Sequence, residues 1–224
     1  MGWFSRWRAK RAELKRFRSS GRSEVFDWIY QSNKWGGASR SGKGSGLDRT
    51  FRIRQRLPAL LQELEITSIL DVPCGDHDWM STIDLDGIDY LGGDIVPALI
   101  ERNREAYPHR QFAVIDVCEG PLPDADLVLC RDLLVHLSLN DIDAALDNLL
   151  AVRGRYLMCT TFPEIRRNKD IVTGKHRKLN MREAPFNWPE PVALFTEGTE
   201  TEQEHGKCQG VWSLADLRPA GASA

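Results

Sequence analysis

"ILDVPCGDHDWM", Ile69 to Met80, is the stretch on which the fold turns. The apolar run that leads into it, "SILDV" from Ser68, is too short for a helix and lacks strict alternation. It reads as a strand covered on both faces, as in a parallel sheet. Asp71 ends the strand, and Pro73, Cys74 and Gly75 turn the chain. The same rhythm recurs in "DYLGGDIV" from Asp89, "QFAVIDV" from Gln111, "DLVLCRD" from Asp126 and "RYLMCTTF" from Arg155. Between these runs, "PALIERNREAY" and "LNDIDAALDNLLAV" have helical periodicity, with Asn140 as the expected cap of the latter. "CEGPLPDA" from Cys118 offers only a short connection. Strand and helix in alternation predict a doubly wound α/β sheet. "PVALFTEG" and "KCQGVWSL", separated by an acidic turn, add an antiparallel pair at one edge. The predicted fold is therefore a seven-stranded, mostly parallel sheet with its last strand antiparallel.

At 224 residues the chain has room for one such domain and some appendages. Residues 1–22 hold eight Lys or Arg against the single acid Glu13, so this tail carries +7 and the remainder -9. Trp3, Trp7, Leu14 and Phe17 fall near one helical face, as in a basic amphipathic segment. Residues 23–65 read as a helical cap. It holds a short helix capped by Ser23, a Gly/Ser-rich lid loop from Asn33 to Gly46, and a helix from about Asp48 to Glu65 with Pro58 as its kink or boundary. Residues 66–216 form the core, with 163–190 as a mobile or substrate-facing loop, and 217–224 form a flexible tail. Five widely spaced cysteines read as free thiols of a reducing compartment. No apolar stretch approaches the length of a bilayer span, and the N-terminus has no apolar signal centre. The expected location is cytoplasmic, with peripheral contact at the inner membrane face through residues 1–22.

In an open α/β sheet the ligand crevice lies at the carboxyl ends of the strands. Three acids mark those ends here: Asp71, Asp94 and Asp116. The first turn has one glycine where a dinucleotide fingerprint asks for three, which weakens a pyrophosphate reading. An acidic strand end suits a cationic ligand. A carboxylate at Asp94 can accept from both hydroxyls of an adenosine ribose, and Asp116 can accept from an exocyclic amine while Val117 packs on the ring.

On "DVPCGD", "YLGGDIV" and "FAVIDV" the sequence resembles the class I S-adenosylmethionine (SAM) dependent methyltransferases, over about residues 66–214. "YQSNKWG", "SGKGS" and "CRDLLVHLS" also resemble a bacterial subgroup of that family. The resemblance implies a Rossmann-like fold with SAM as cofactor. Asp71, Pro73 and Gly75 then hold its amino-acid part, Asp94 and Ile95 the ribose, and Asp116 and Val117 the adenine, with Arg131, Trp35 and Ser45 closing the site. The departure is the turn itself, which lacks the family's repeated glycines.

The fourth strand ends in Arg131, Asp132 and, four residues on, His136, which makes His136 and Asp132 the candidate bases. Tyr30, Asn180 and Trp188 are candidate acceptor contacts. The basic run from Arg166 to Lys178 favours an anionic small molecule or glycan. The leading expectation is methyl transfer to an oxygen, on a sugar or glycan hydroxyl. An N-methyltransferase, an NAD-dependent oxidoreductase and a noncatalytic SAM-binding or RNA-binding module remain as alternatives. Nucleic acid is the least expected partner, and the histidine spacing gives no metal-ligand cluster.

Overall fold

The computed structural model describes residues 3–37, 39–197 and 205–218. Its single sheet has the order β3-β2-β1-β4-β5-β7-β6. The strands are β1 (Ser68–Asp71), β2 (Asp89–Asp94), β3 (Gln111–Val114), β4 (Leu127–Cys130), β5 (Tyr156–Thr161), β6 (Ala193–Thr196) and β7 (Cys208–Ser213). β1 to β5 pair in parallel, whereas β7 runs antiparallel to both β5 and β6. This is the doubly wound, seven-stranded architecture that the apolar runs imply. The order reverses between β1 and β4, so the crevice opens above their carboxyl ends.

The helices are α1 (Trp3–Ser19), α2 (Arg22–Gln31), α3 (Phe51–Glu63), α4 (Pro97–Ala106), α5 (Leu139–Ala151) and the short α6 (Leu214–Leu217). Ser23 is not the cap of α2: the helix starts at Arg22, which Asp116 and Asp141 draw inward, and Gly21 precedes it without a side-chain bond. Nor does Asn140 cap α5. Ser138 does, its hydroxyl accepting from the Asp141 amide. α3 begins at Phe51 rather than near Asp48 and runs through Pro58, because burial of Leu57, Leu60 and Leu61 outweighs one missing N–H donor. β3 stops two residues before Asp116, which therefore sits on the loop beyond the strand.

The core is the apolar face of the sheet and its helices, with Ile69, Leu70, Leu127, Leu129 and Leu157 nearly inaccessible. All five cysteines are free thiols. The 163–190 segment has no regular structure, yet side chains staple it. Asn180 Nδ2 donates to the carbonyls of Pro163 and Ile165, and Arg177 donates to those of Lys169 and Leu134. The acidic turn at 198–204 and most of the expected flexible tail, 219–224, lie outside the described residues. Among the described residues no helix is long and apolar enough to cross a membrane.

Candidate active site

The turn after β1 is the floor of the site. Gly75 has φ +54°, a left-handed conformation that favours glycine, and a Cβ there would lie 2.7 Å from Ser41 Oγ. Ser41 in turn accepts from the Asp76 amide at 2.8 Å, so the Gly/Ser-rich loop lies directly on the turn. Its contact is through Ser41, not Ser45. Pro73 follows a cis peptide and lines the cleft beside Val72.

Asp71 is buried and accepts from Tyr90 Oη at 2.7 Å, while Tyr90 faces His77 Nδ1 at 3.1 Å. Because the Tyr90 proton goes to Asp71, the imidazole is the donor of the second bond. Desolvation raises the Asp71 carboxyl to about 7, against the pull of Tyr90 and Arg131. Asp94 is likewise pushed up by burial, to about 6, although backbone amides including that of Val96 donate to it. Asp76 is buried too, and its Oδ2 has no hydrogen-bond partner. A buried acceptor left in this way is costly, and a cationic donor satisfies it.

The expected adenine end is a narrow cleft lined by Phe26, Ile95, Val117, Leu133 and Leu137 among others. Asp116 stands at its edge with Oδ1 accepting from the Cys118 amide and Oδ2 from Arg22 Nε at 3.1 Å. Each carboxylate oxygen has two lone pairs, so Asp116 can still accept from an amine. These residues fit SAM: an apolar slot for the base, a carboxylate for the ribose, and a buried unpartnered oxygen beside a bare glycine for the ammonium. Asp71, Gly75, Asp76, Asp94, Ile95, Asp116 and Val117 would hold it.

At the end of β4 the chain builds an ion cluster. Arg131 Nε donates to Glu197 Oε1 at 2.7 Å, its Nη2 donates to the Gly44 carbonyl at 2.7 Å, and its guanidinium lies over Trp79. Lys207 Nζ donates to Asp132 Oδ2 at 2.6 Å, and Gln209 Nε2 joins Thr160 to Glu197. Arg131 thus reaches the lid loop through its backbone. Asp132 has φ +57°, a sparsely populated conformation for a residue with a Cβ, held by the Thr160 hydroxyl on both its amide and its Oδ1. Burial alone would raise its carboxyl, but Lys207 and Arg131 hold it well below the usual range.

His136 lies in a single 3-10 turn, Leu134–His136. Its Nδ1 is 2.8 Å from the Lys175 carbonyl and its ring stacks on Trp35 at 4.5 Å. A carbonyl only accepts, so Nδ1 carries the proton and Nε2 keeps its lone pair. Desolvation, helped by His176, lowers its pKa to about 4, so the ring is neutral near pH 7. Trp35 packs edge-on to Phe26, which places the His136 pocket next to the adenine cleft.

Two of the three candidate acceptor residues are spent on structure, and the third, Tyr30, lies under the lid loop. Asn180 spends its amide within the 163–190 segment, and Trp188 packs edge-on against Trp212. Tyr30 is buried under Arg40 and shares a hydrogen bond with Arg102. Conversely, Ser41 of "SGKGS", Asp76 of "DVPCGD", Tyr90, Glu197 and Lys207 are given no role by the sequence. The one local signal is charge, since Glu197 and Lys207 flank the apolar runs of β6 and β7. Among the described residues no group of three or more His, Cys, Asp and Glu is placed to hold a metal ion.

A sheet of this order, with acids at the carboxyl ends of its central strands, defines the fold of the class I SAM-dependent methyltransferases. Residues 70–154 match the family model described as a methyltransferase domain. The structure is similar to that of magnesium protoporphyrin IX methyltransferase from Synechocystis PCC 6803, with a TM-score of 0.60 at 12% identity, covering 87% of this chain and 98% of that one. It is also similar to the N-methyltransferase NodS from Bradyrhizobium japonicum WM9, with a TM-score of 0.61 at 14% identity, covering 83% and 97%. At such identities the likeness is one of fold. No curated protein sequence matches the chain significantly. The chain carries a SAM-dependent methyltransferase domain, and SAM is its cofactor.

Proposed function

We propose that the enzyme methylates an oxygen, a hydroxyl of a sugar or glycan, with His136 as general base. The observation that carries this reading is the state of the His136 ring: neutral, fixed by the Lys175 carbonyl, and left with a bare Nε2 next to the cofactor cleft. When bound, SAM supplies an electrophilic methyl group. A hydroxyl gains nucleophilicity only as its proton leaves, and a fixed neutral imidazole is suited to take it. An amine that is already deprotonated needs no such group. Asp132 is less suited to the task, because Lys207, Arg131 and Thr160 already occupy its carboxylate. Its bond to Lys207 instead helps fix the β4 end on which the acceptor would rest.

Trp35 stacks on His136 and belongs to the loop that Ser41 and Gly44 tie down, so it is well placed to exclude water as the loop closes. An anionic acceptor is favoured by the exposed Arg167 and Lys169. The Lys169 carbonyl is bound to Arg177, whose amide donates to Val135 beside His136.

The test is transfer from methyl-labelled SAM to a panel of sugar nucleotides and acidic glycans, with the product linkage read by NMR. An O-methyl product, together with a His136→Ala loss of about 10²- to 10⁴-fold in turnover at unchanged SAM affinity, supports the reading. An N-methyl product, or full turnover in that variant, overturns it.

A further inference from the structure

α1 is divided between two environments. Its C-terminal half is docked: Phe17 is 4% exposed, meets Trp28 edge-on, and lies under the Lys175 ammonium. Gly174, at φ +90°, makes room for it, since a Cβ there would come within 2.9 Å of the Phe17 ring. Glu13, the sole acid of the helix, faces the same way and pairs with Lys34 and Lys175. The N-terminal half shows the opposite character. Trp7 is 49% exposed and Trp3 72% exposed. About two and three turns before Leu14, they lie on the side by which the helix docks. Around them Arg8, Lys10, Arg11, Lys15, Arg16 and Arg18 are all exposed, and the helix presents no outward acid.

We propose that α1 is a docking surface for an anionic lipid bilayer. Tryptophans on one face flanked by Lys and Arg match the membrane–water interface, where the indoles sit at headgroup depth and the cations meet lipid phosphates. Glu13 is neutralised within the protein, so it takes nothing from the attraction. The remainder of the chain carries -9, which a negative bilayer repels. Attraction at one end and repulsion at the other fix the orientation: the exposed N-terminal half of α1 meets the lipid and the bulk of the body is held off it. RNA is the weaker partner, because two exposed indoles on one helix face among cations suit an apolar phase edged by phosphates rather than phosphates alone.

The experiment is flotation of the full chain with vesicles of phosphatidylcholine alone or with about one-third phosphatidylglycerol. Selective binding to the anionic vesicles is expected, weakening about fivefold for each positive charge removed. The charge reversal Lys10→Glu with Arg11→Glu should abolish it. Trp3→Ser with Trp7→Ser should reduce it at least about tenfold, as the loss of two buried indoles demands. All four positions are exposed, and SAM titration of each variant checks that the fold is intact. Failure to bind anionic vesicles, equal binding to neutral ones, or indifference to these substitutions overturns the proposal. Salt-sensitive RNA binding without vesicle binding does so in favour of a nucleic-acid surface.

Discussion

Lowering the pH from about 8 to about 5 should weaken SAM binding about tenfold through Asp94 alone. The carboxyl is raised to about 6 because it is buried, with only backbone amides to stabilise its charge. Ribose hydroxyls donating to it favour the ionised form, so its pKa falls when the cofactor binds. The sign follows: affinity is complete above the free-protein pKa and is lost as pH falls through it. With a free-protein pKa of about 6 the weakening factor is near unity at pH 8 and about elevenfold at pH 5. Asp71, at about 7, adds a second limb. Comparing the parent with Asp94→Asn cancels that limb, because both proteins keep Asp71. Calorimetric titration across this range, in buffers of different ionisation enthalpy, gives the affinity ratio and the protons released. The parent should lose its advantage over the variant about tenfold by pH 5 and release about half a proton from this group near pH 6. A constant ratio between two folded proteins would refute the assignment of Asp94 to the ribose.

Three further substitutions separate cofactor binding from structure. Asp71→Asn removes a buried charge while keeping an acceptor for Tyr90. The ligand-free variant should be about 2–4 kcal/mol more stable than the parent near pH 8. Since burial raises the Asp71 pKa, the parent regains stability as pH falls below about 7. Melting curves across that range should show the difference shrinking. Asp76→Asn should weaken SAM at least about tenfold, by loss of a charged hydrogen bond, and leave 5′-methylthioadenosine, which has no ammonium, unaffected. Equal weakening of both ligands in a titration would move Asp76 out of the ammonium site. Lys207→Met leaves Glu197 and Asp132 sharing Arg131 alone and should cost about 3–5 kcal/mol in denaturant unfolding.

The parallel strands were legible because burial on both faces leaves an unbroken apolar run, and the first three were each followed by an acid at or just beyond the strand end. Asp71 and Asp94 could be placed on that basis alone. Helix starts were less legible. Ser23 and Asn140 are good caps locally, but Arg22 is drawn into α2 by acids at 116 and 141, and Ser138 stands two residues nearer the turn. Distances of about a hundred residues along the chain are invisible to local pattern. The same reason hid Ser41, Glu197 and Lys207, whose partners are Asp76, Arg131 and Asp132. Asn180 and Trp188 misled in the opposite sense. Polar and aromatic residues in a loop without periodicity read as a binding surface, whereas here they hold that loop and the β7 face in place.

The arrangement also explains why so many charges are buried in a small domain. Desolvation raises the Asp71 and Asp94 carboxyls to about 7 and about 6, so their charge is held at a cost in the ligand-free protein and a cation relieves it. The β4 cluster follows another rule. Arg131, Asp132, Glu197 and Lys207 balance in charge, and Arg131 spends its remaining donors on Gly44 of the lid loop. That bond links β4, the β6–β7 edge and the loop across the crevice at a single guanidinium. His136 lies just beyond, with Trp35 of the same loop stacked on it. Loop closure and base positioning therefore share one set of contacts, and a substitution that loosens the loop should also misplace His136.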